Sequence, residues 1–362
     1  MGSSFRSLVG NFAMPRNGSM WVSLVAYASG AGAVNLANAG LTAVSIAGAR
    51  LAFSGANSEL ISSLPMSYHP YHGYTVYEAQ LECQNSSAVR VAAQFEAYSP
   101  YSYEVQLSAF LAKHNHSVHY NGRDLSYLDD SYRLVPPAVP AGENIWATKD
   151  KGVRNLVGVY ACQPWDASAW ISTVMYSAST GEGSGAHLTV EQGYGGVALV
   201  ALPSSTSLYV NQNALIQSLP FGASSAVNVW TLYTIEVPHR ARGDIIHVDA
   251  QFEVTNPYKY PVSLCHYLAL HTTRTVFQGT PSSAAKYAAM LPGIPAGESV
   301  THDMHHTTRR VHGSIIAPQN GSLWASLVIY ARSSAATTGS ALTVEGGGSS
   351  YGGLSVLSFP TL

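Results

Sequence analysis

Short runs of alternating apolar and polar residues dominate the chain and predict β-strands throughout. The runs are rich in Val, Tyr, Leu and Thr and are bounded by Gly, Pro, Asn and Ser, which is the pattern of strands and turns. In the run from Val91 to Ala97, Gln94 and Glu96 lie on the face opposite to Val91 and Phe95, because successive strand residues point to opposite sides. No long stretch shows the 3.6-residue period of an amphipathic helix, so an all-β protein is predicted.

The strand pattern is repeated along the chain. Leu60 to Pro65 recurs as Leu215 to Pro220, and the aromatic strand Trp170 to Tyr176 recurs as Trp324 to Tyr330. Self-similarity at a long fixed period indicates duplication of a structural unit. A unit of roughly 150 residues with about eight strands fits an antiparallel sandwich of the jelly-roll type.

A third, incomplete copy of the repeat lies before the two full units. Residues 17–27 match residues 320–330, starting with Asn-Gly-Ser and including Trp21 and Tyr27, while nothing upstream corresponds to the first half of a unit. The predicted fold is therefore all-β, with two tandem antiparallel jelly-roll sandwiches preceded by a half-unit of β-strands. The predicted boundaries are residues 1–54 for the partial unit, 55–207 for the first sandwich and 208–362 for the second.

The partial unit is expected to serve in assembly or docking. A piece of sheet this short is at best marginal in water by itself. We expect it to complete a sheet supplied by another subunit or another protein, or to pack along the first sandwich as an added layer.

The aromatic strands carry apolar residues on both faces. Neither face of Trp324 to Tyr330 is strongly polar, and the same holds for Trp170 to Tyr176 and for Val197 to Leu202. Such strands need a second covering surface besides their own core, so packing against a neighbouring domain or subunit is predicted, with an unusually apolar solvated face as the alternative. The interface candidates are Trp21, Tyr27, Trp170, Met175, Tyr176, Trp324, Ile329 and Tyr330.

Charge is scarce and excludes some classes of partner. Only 10% of the residues are charged, and the net charge is -2, so the chain lacks the basic surface expected of a nucleic-acid-binding protein. No stretch reaches about 18 uninterrupted apolar residues, and the N-terminus lacks the pattern of a signal peptide. Neither a membrane partner nor secretion is therefore expected.

The three cysteines, Cys83, Cys162 and Cys265, do not form a recognisable framework. Their number is odd and their spacing does not match a metal site. Buried free thiols are therefore expected rather than disulfides or a zinc site.

Polar clusters do not combine into a metal site or an active site. The run from His114 to His119 and the acidic residues Asp124, Asp129 and Asp130 lack the ligand number and spacing of a zinc or calcium site. No nucleophile motif is present. We therefore expect no metal, no cofactor and no enzymatic activity.

Tyr68, Tyr71 and Tyr74 form the densest aromatic stretch of the chain. Aromatic faces stack on sugars in ligand sites, so these residues are candidates for a ligand-contacting loop and a surface glycan is an alternative partner. The other interpretation is a structural loop over the edge of a sandwich.

The end of the chain resembles a known family. The aromatic strand Trp324 to Tyr330, the loop after it and the closing strand Gly352 to Phe359 resemble the end of tumour-necrosis-factor-like jelly-roll proteins, a fold similar to that of decoration (cement) proteins on phage heads. The resemblance implies a compact, trimer-forming jelly roll with a virion surface role.

The sequence thus favours a non-enzymatic virion structural protein, most of all a capsid decoration or head-surface protein. It would form a homo-oligomer, contact other capsid or virion proteins, and be assembled in the host cytoplasm. The alternatives are a carbohydrate- or receptor-binding module of a phage fibre and a double-jelly-roll major capsid protein.

Overall fold

A computed structural model describes most of the chain. The described residues are 20–25, 41, 49–54, 60–67, 72–83, 88–103, 105–125, 133–137, 141–145, 152–163, 165–178, 186–190, 195–202, 206–210, 214–223, 227–237, 241–290, 296–301, 307–345 and 352–360. They contain no helix that is long and apolar enough to cross a membrane.

The strands fall into two sets of equal size. The first set is β1 (Arg50–Ser54), β2 (Ser63–Ser67), β3 (His72–Glu82), β4 (Ala88–Tyr98), β5 (Val105–His114), β6 (Asn121–Asp124), β7 (Arg133–Leu134), β8 (Ala141–Ile145), β9 (Gly152–Ala161), β10 (Ser168–Ala178), β11 (His187–Val190) and β12 (Gly196–Leu202). The second set is β13 (Thr206–Val210), β14 (Ser218–Pro220), β15 (Asn228–Val237), β16 (Ile245–Thr255), β17 (Val262–His271), β18 (Gln278–Pro281), β19 (Ala288–Ala289), β20 (Ala296–Val300), β21 (Thr307–Ile316), β22 (Leu323–Arg332), β23 (Ala341–Glu345) and β24 (Gly353–Phe359).

Each set folds into a sandwich of two sheets, and the two sandwiches share one topology. In the first, β9 pairs with β4, which pairs with β12 and β11, and these pair with β1 and β2; the facing sheet runs β6, β3, β10 and β5, followed by β7 and β8. In the second, β21, β16, β24 and β13 replace β9, β4, β12 and β1, and β18, β15, β22 and β17 replace β6, β3, β10 and β5. The predicted all-β fold with two tandem sandwiches is confirmed.

Each sandwich has more strands than the sequence predicts. The reason is that some positions in a sheet are filled by two short strands that lie end to end. Strands β11 and β12 both pair with one side of β4, and β7 and β8 both pair with one side of β5. The named strands pair in antiparallel fashion, apart from a short parallel pairing of β10 with β2.

The structure differs from the predicted boundaries at two points. Strand β1, the end of the segment 1–54, pairs along its whole length with β12 and completes the edge of the first sandwich. Strand β13, which spans the predicted boundary at residue 207, pairs in the same way with β24. Each sandwich therefore begins with the strand that covers the edge of its own closing strand, a long-range pairing that local sequence does not reveal.

Each core contains a tyrosine that packs against a glycine of the closing segment. Tyr77 and Tyr233 are fully or almost fully buried, and a Cβ atom placed on Gly195 or Gly352 would collide with the hydroxyl of the respective tyrosine and with a backbone carbonyl. Burial raises the pKa of Tyr233 to about 12. The repeated Gly-Gly pair is thus explained by a close approach that only glycine allows.

Replacing Gly352 by Ala is expected to lower the free energy of unfolding of the second sandwich by about 2 kcal/mol or more, because the new methyl group must displace a packed neighbour. Adding Tyr233→Phe should recover part of the loss, since the hydroxyl is one of the two crowding groups. Urea denaturation of the single and double variants measures both effects. A double variant no more stable than Gly352→Ala would contradict the contact.

The expectation that the cysteines are free thiols is wrong for two of the three. Cys83 and Cys162 form a disulfide with a Cα–Cα distance of 5.7 Å, while Cys265 remains a buried thiol. The pairing was hidden in the sequence because 79 positions separate the two residues. They become neighbours only because Cys83 follows the end of β3 and Cys162 follows the end of β9, and both ends lie at the same end of the sandwich.

Removal of the disulfide with Cys83→Ser is expected to destabilise the first sandwich by up to about 4 kcal/mol, because a long loop is no longer closed in the unfolded chain. Thermal unfolding with and without reductant measures the effect. A reductant should lower the unfolding temperature of the first sandwich in the wild type and leave that of Cys83→Ser unchanged. Equal sensitivity of both proteins to the reductant would argue against the disulfide.

Candidate functional site

The outer face of the central strand β22 is covered by a loop of its own sandwich. Val328 is fully buried between Tyr267 and Phe277, with Tyr287 and Tyr330 packed against the same cluster. The rings of Tyr267 and Tyr287 are stacked, with centroids 4.8 Å apart. The covering residues come from the segment that follows β17, so no neighbouring subunit is needed to bury this face.

The equivalent strand of the first sandwich, β10, is covered in the same way. Val174 is fully buried with Phe110 and Tyr120, and the ring of Tyr176 meets Phe110 edge to face. The covering segment follows β5, which is the equivalent of β17.

The same hydrogen bond fastens both covering segments. The backbone N–H of Tyr120 donates to Oγ1 of Thr75 over 2.9 Å, and that of Phe277 donates to Oγ1 of Thr231 over 2.9 Å. Both threonines lie on the strand next to the covered one. Covering the outer face is therefore a property of the repeated unit.

These contacts determine what the interface candidates can do. Met175 and Ile329 are fully buried in the cores of their own sandwiches, so their side chains cannot reach a partner subunit. Tyr176 and Tyr330 are half-buried and belong to the loop-covered clusters. A second apolar face on a strand requires a second covering surface. Here loops of the same chain provide that surface, so the aromatic strands do not need a partner subunit to cover them.

The tryptophan candidates differ from one another. Trp170 and Trp324 are half-buried, and the guanidinium of Arg274 lies 5.7 Å from the centre of the Trp324 ring. Trp21 is 93% exposed. Tyr27 lies outside the described residues.

One of the three ligand-loop candidates, Tyr74, lies in the described part of the chain. Tyr68 and Tyr71 lie outside the described residues, and Tyr74 is a half-buried residue of β3 that packs against the first core.

A cluster around Glu78 contains the residue types of a hydrolase catalytic triad but does not have the geometry of a triad. Its Oε2 accepts a hydrogen bond from Ser117 Oγ at 2.6 Å and lies 3.1 Å from His119 Nε2, and the same ring nitrogen is 3.4 Å from Ser117. A catalytic triad requires the two ring nitrogens to serve different partners. Glu78 also accepts the N–H of Val118, so the cluster anchors the loop onto β3.

The histidine run is likewise dispersed. His114 is buried against the Tyr120 ring at 5.6 Å, whereas His116 is exposed. Within the described residues, no group of three or more His, Cys, Asp or Glu side chains is placed to hold a metal ion.

A buried ion pair closes the end of the first sandwich near the disulfide. Lys113 Nζ donates to Asp166 Oδ1 over 2.9 Å, and the Tyr160 hydroxyl and the N–H of Gln163 donate to the other carboxylate oxygen. A buried charge needs such a set of partners. In the second sandwich the position of Lys113 is occupied by Leu270, so this arrangement is specific to the first.

The second sandwich covers part of the outer face of β12, at the end of the strand. Val200 and Leu202 pack with Leu357 and Phe359 of β24 in one apolar cluster. The prediction that the strand from Val197 to Leu202 packs against a neighbouring domain is therefore confirmed.

Beside this apolar cluster, Arg90 of β4 crosses the junction between the sandwiches. Its Nε donates to Nε2 of His247 on β16 over 3.0 Å, and its terminal nitrogen lies 3.5 Å from Asp249 Oδ1. His247 Nδ1 lies 2.7 Å from the hydroxyl of Ser314 on β21. Side chains from three strands thus meet in one buried polar network.

Burial and charge set the protonation of this network. Burial lowers the pKa of His247, which opposes its charging at neutral pH. Burial alone would raise the pKa of Asp249, but the neighbouring His247 and Arg90 outweigh it and hold this pKa well below its ordinary value. Burial also lowers the pKa of His312 to about 4 and that of Arg310 to about 10.

A small cavity adjoins the network. It is lined by Asp249, Gln251, Arg310 and His312 of the second sandwich, with Val157 among the residues from the first, and it has room for about one water molecule. The arrangement can hold charges across the junction but offers no space for an organic ligand. Neither Arg90 nor His247 was predicted from the sequence as a site residue. The signal that could have revealed them is that each is a polar residue alternating with apolar neighbours on a strand that is otherwise buried.

Comparison with known proteins identifies no family. No family model and no curated protein matches the chain. Among solved structures, infectious bursal disease virus of the Gx strain has a TM-score of 0.27 and 11% identity, covering 85% of this chain and 72% of its own. The CBM22-1–CBM22-2 tandem domain of Paenibacillus barcinonensis Xyn10C has a TM-score of 0.23 and 11% identity, covering 86% and 92%. At these TM-scores the likenesses carry no argument about function.

Acid is expected to destabilise the second sandwich through His266. This residue is buried against the Phe252 ring, and burial lowers its pKa from 6.5 to about 4. The unfolded chain therefore binds more protons between these pH values, so stability falls as the pH drops, by about 3 kcal/mol in total. His266→Phe should flatten this slope in urea denaturation at a series of pH values; an unchanged slope would contradict the assignment.

Proposed function

We propose that this chain is a non-enzymatic structural protein of a virion, namely a capsid decoration (cement) or head-surface protein that assembles as an oligomer. The observation that carries the proposal is the exposure of an apolar segment near the N-terminus whose sequence is buried elsewhere in the same chain.

The exposed segment is a copy of a central strand. Residues 17–27 match residues 320–330, which contain most of β22. In β22 the residues Leu327 and Val328 are fully buried, whereas the matching Leu24 and Val25 are 51% and 77% exposed. Large exposed apolar patches usually mark interaction sites, so this segment supports assembly with a partner.

Strand β1 offers a second surface of the same kind. It lies at the end of its sheet and pairs on one side with β12, and Phe53 is 72% exposed. A strand at the end of a sheet can accept a strand from another chain.

Two further features agree with a role on a particle surface. Disulfides persist outside reducing compartments, including on virion surfaces, and the Cys83–Cys162 pair is of this kind. The cluster around Glu78, the one that comes nearest to catalytic residue types, anchors a loop, which supports a structural role.

The double-jelly-roll major capsid protein is the second candidate, because the two sandwiches are docked side by side through β12 and β24. The number of copies per particle separates the two: a decoration protein is present beside a separate major shell protein, whereas a major capsid protein is itself the most abundant component.

Deletion of residues 1–48 is expected to leave both sandwiches folded, since β1 is retained, and to abolish oligomer formation. Light scattering of the full chain should show a stable oligomer, with the mass expected of a trimer. Trp21→Ser should weaken its association constant by roughly a hundredfold, because a large apolar side chain loses its buried contact. Trp165→Ser, at a residue that is 72% exposed outside this segment, is the matched control.

A full chain that stays monomeric at micromolar concentration would overturn the proposal. So would a Trp165→Ser chain that dissociates as readily as Trp21→Ser. Deletion through residue 54 should differ from deletion through 48, because it also removes β1 from the first sandwich.

A further inference from the structure

The junction between the sandwiches holds a histidine whose one ring nitrogen faces two partners on opposite sides of the junction. We propose that this junction is a pH-operated latch: protonation of His247 transfers its hydrogen bond from Arg90 of the first sandwich to Asp249 of its own sandwich, and the two sandwiches then separate.

The neutral state follows from the partners of the imidazole. Arg90 always carries its N–H protons, and its Nε donates to His247 Nε2 over 3.0 Å. Nε2 is therefore an acceptor, and the ring proton sits on Nδ1, which donates to Ser314 Oγ at 2.7 Å. In this state His247 is the hydrogen-bond partner that holds Arg90 against the second sandwich.

The acidic state reverses the role of the same atom. A proton added at Nε2 makes it a donor, so two donors, one from Arg90 and one from His247, face each other where a hydrogen bond existed. Asp249 Oδ1 lies 3.2 Å from the same nitrogen and accepts a hydrogen bond from the new N–H. Asp249 is also the ion-pair partner of Arg90, at 3.5 Å, so the protonated histidine competes for it as well.

The surrounding groups act in the same direction. Strand β21 contributes His312, opposite Asp249 in the strand register, and Arg310, whose Nε donates to Gln251. Strands β24 and β9 contribute the apolar residues Leu357 and Val157. Protonation of His312 adds another positive charge near Arg90 and Asp249.

The low dielectric of the junction makes the switch effective. The side chains of Arg90, His247 and Asp249 are 13%, 12% and 2% exposed, and like charges repel strongly where water is excluded. The apolar cluster around Leu202 and Phe359 remains, and strands β8 and β9 of the first sandwich also contact β21 of the second. Loss of the Arg90 contacts therefore weakens the polar contact between the sandwiches while each sandwich keeps its own core.

The test measures the distance between the sandwiches within one chain. Spin labels at Ser102→Cys and Thr338→Cys, both exposed positions, report it by pulsed electron paramagnetic resonance in chains diluted with unlabelled protein, so that an oligomer does not contribute. On lowering the pH from about 7.5 to about 5, we expect the ratio of closed to open distances to fall more than tenfold. Far-ultraviolet circular dichroism should stay constant, and Cys265 should stay unreactive to dithiodipyridine.

Variants separate His247 from other acid effects. His247→Gln retains an acceptor for Arg90 but cannot be protonated, so its closed population should persist at acidic pH. Arg90→Gln should be open already at neutral pH. His266→Phe, which removes a buried histidine outside the junction, should behave like the wild type.

Four results would overturn the latch. The first two are a distance that does not change with pH in the wild type, and a His247→Gln chain that opens as the wild type does. The other two are an acid response that is lost in His312→Gln but kept in His247→Gln, and an opening that occurs together with exposure of Cys265. If His247→Gln does not fold, Arg90→Gln at neutral pH decides: a closed distance there refutes the proposal. None of these outcomes depends on the oligomer proposed above.

Discussion

Apolar residues on both faces of the central strands are the constraint on which this structure depends. A strand in a sandwich buries one face in its own core, and a second apolar face must be covered by something else. Loops of the same unit cover β10 and β22, and the second sandwich covers part of β12. In the third case the face is left open: the copy of β22 near the N-terminus is exposed in the described residues 20–25. The proposed assembly role follows from the third case.

The junction between the sandwiches combines an apolar contact with a polar one. The apolar cluster around Leu202 and Phe359 favours association but has little directional preference. The hydrogen bond of Arg90 with His247 and its ion pair with Asp249 are directional contacts with defined distances. Buried charges of this kind are costly unless each finds its partner, so the relative position of the sandwiches is sensitive to the protonation of the histidine.

Duplication preserved the parts of the unit that every copy needs. The threonine that fastens the covering segment and the tyrosine that packs on a closing glycine occur in both sandwiches. Residues that differ between the two sandwiches lie at the end of the first sandwich and at the junction between them. Lys113 and Asp166 close one end of the first sandwich beside the disulfide, while His247 and Asp249 lie on the face of the second that is turned to the first.

The sequence by itself determined the fold class, the repeat and the need for a second covering surface, because alternation along a strand and self-similarity are local properties that can be read position by position. It could not determine what supplies the cover: Met175 and Ile329 became core residues and the loops after β5 and β17 did the covering. Only the tertiary structure decided that Cys83 meets Cys162, that β1 pairs with β12, and that Arg90 reaches His247. In each case the partners are far apart in the chain and are joined by the order of strands in the sheets and the packing of one sheet on another, which no local pattern encodes.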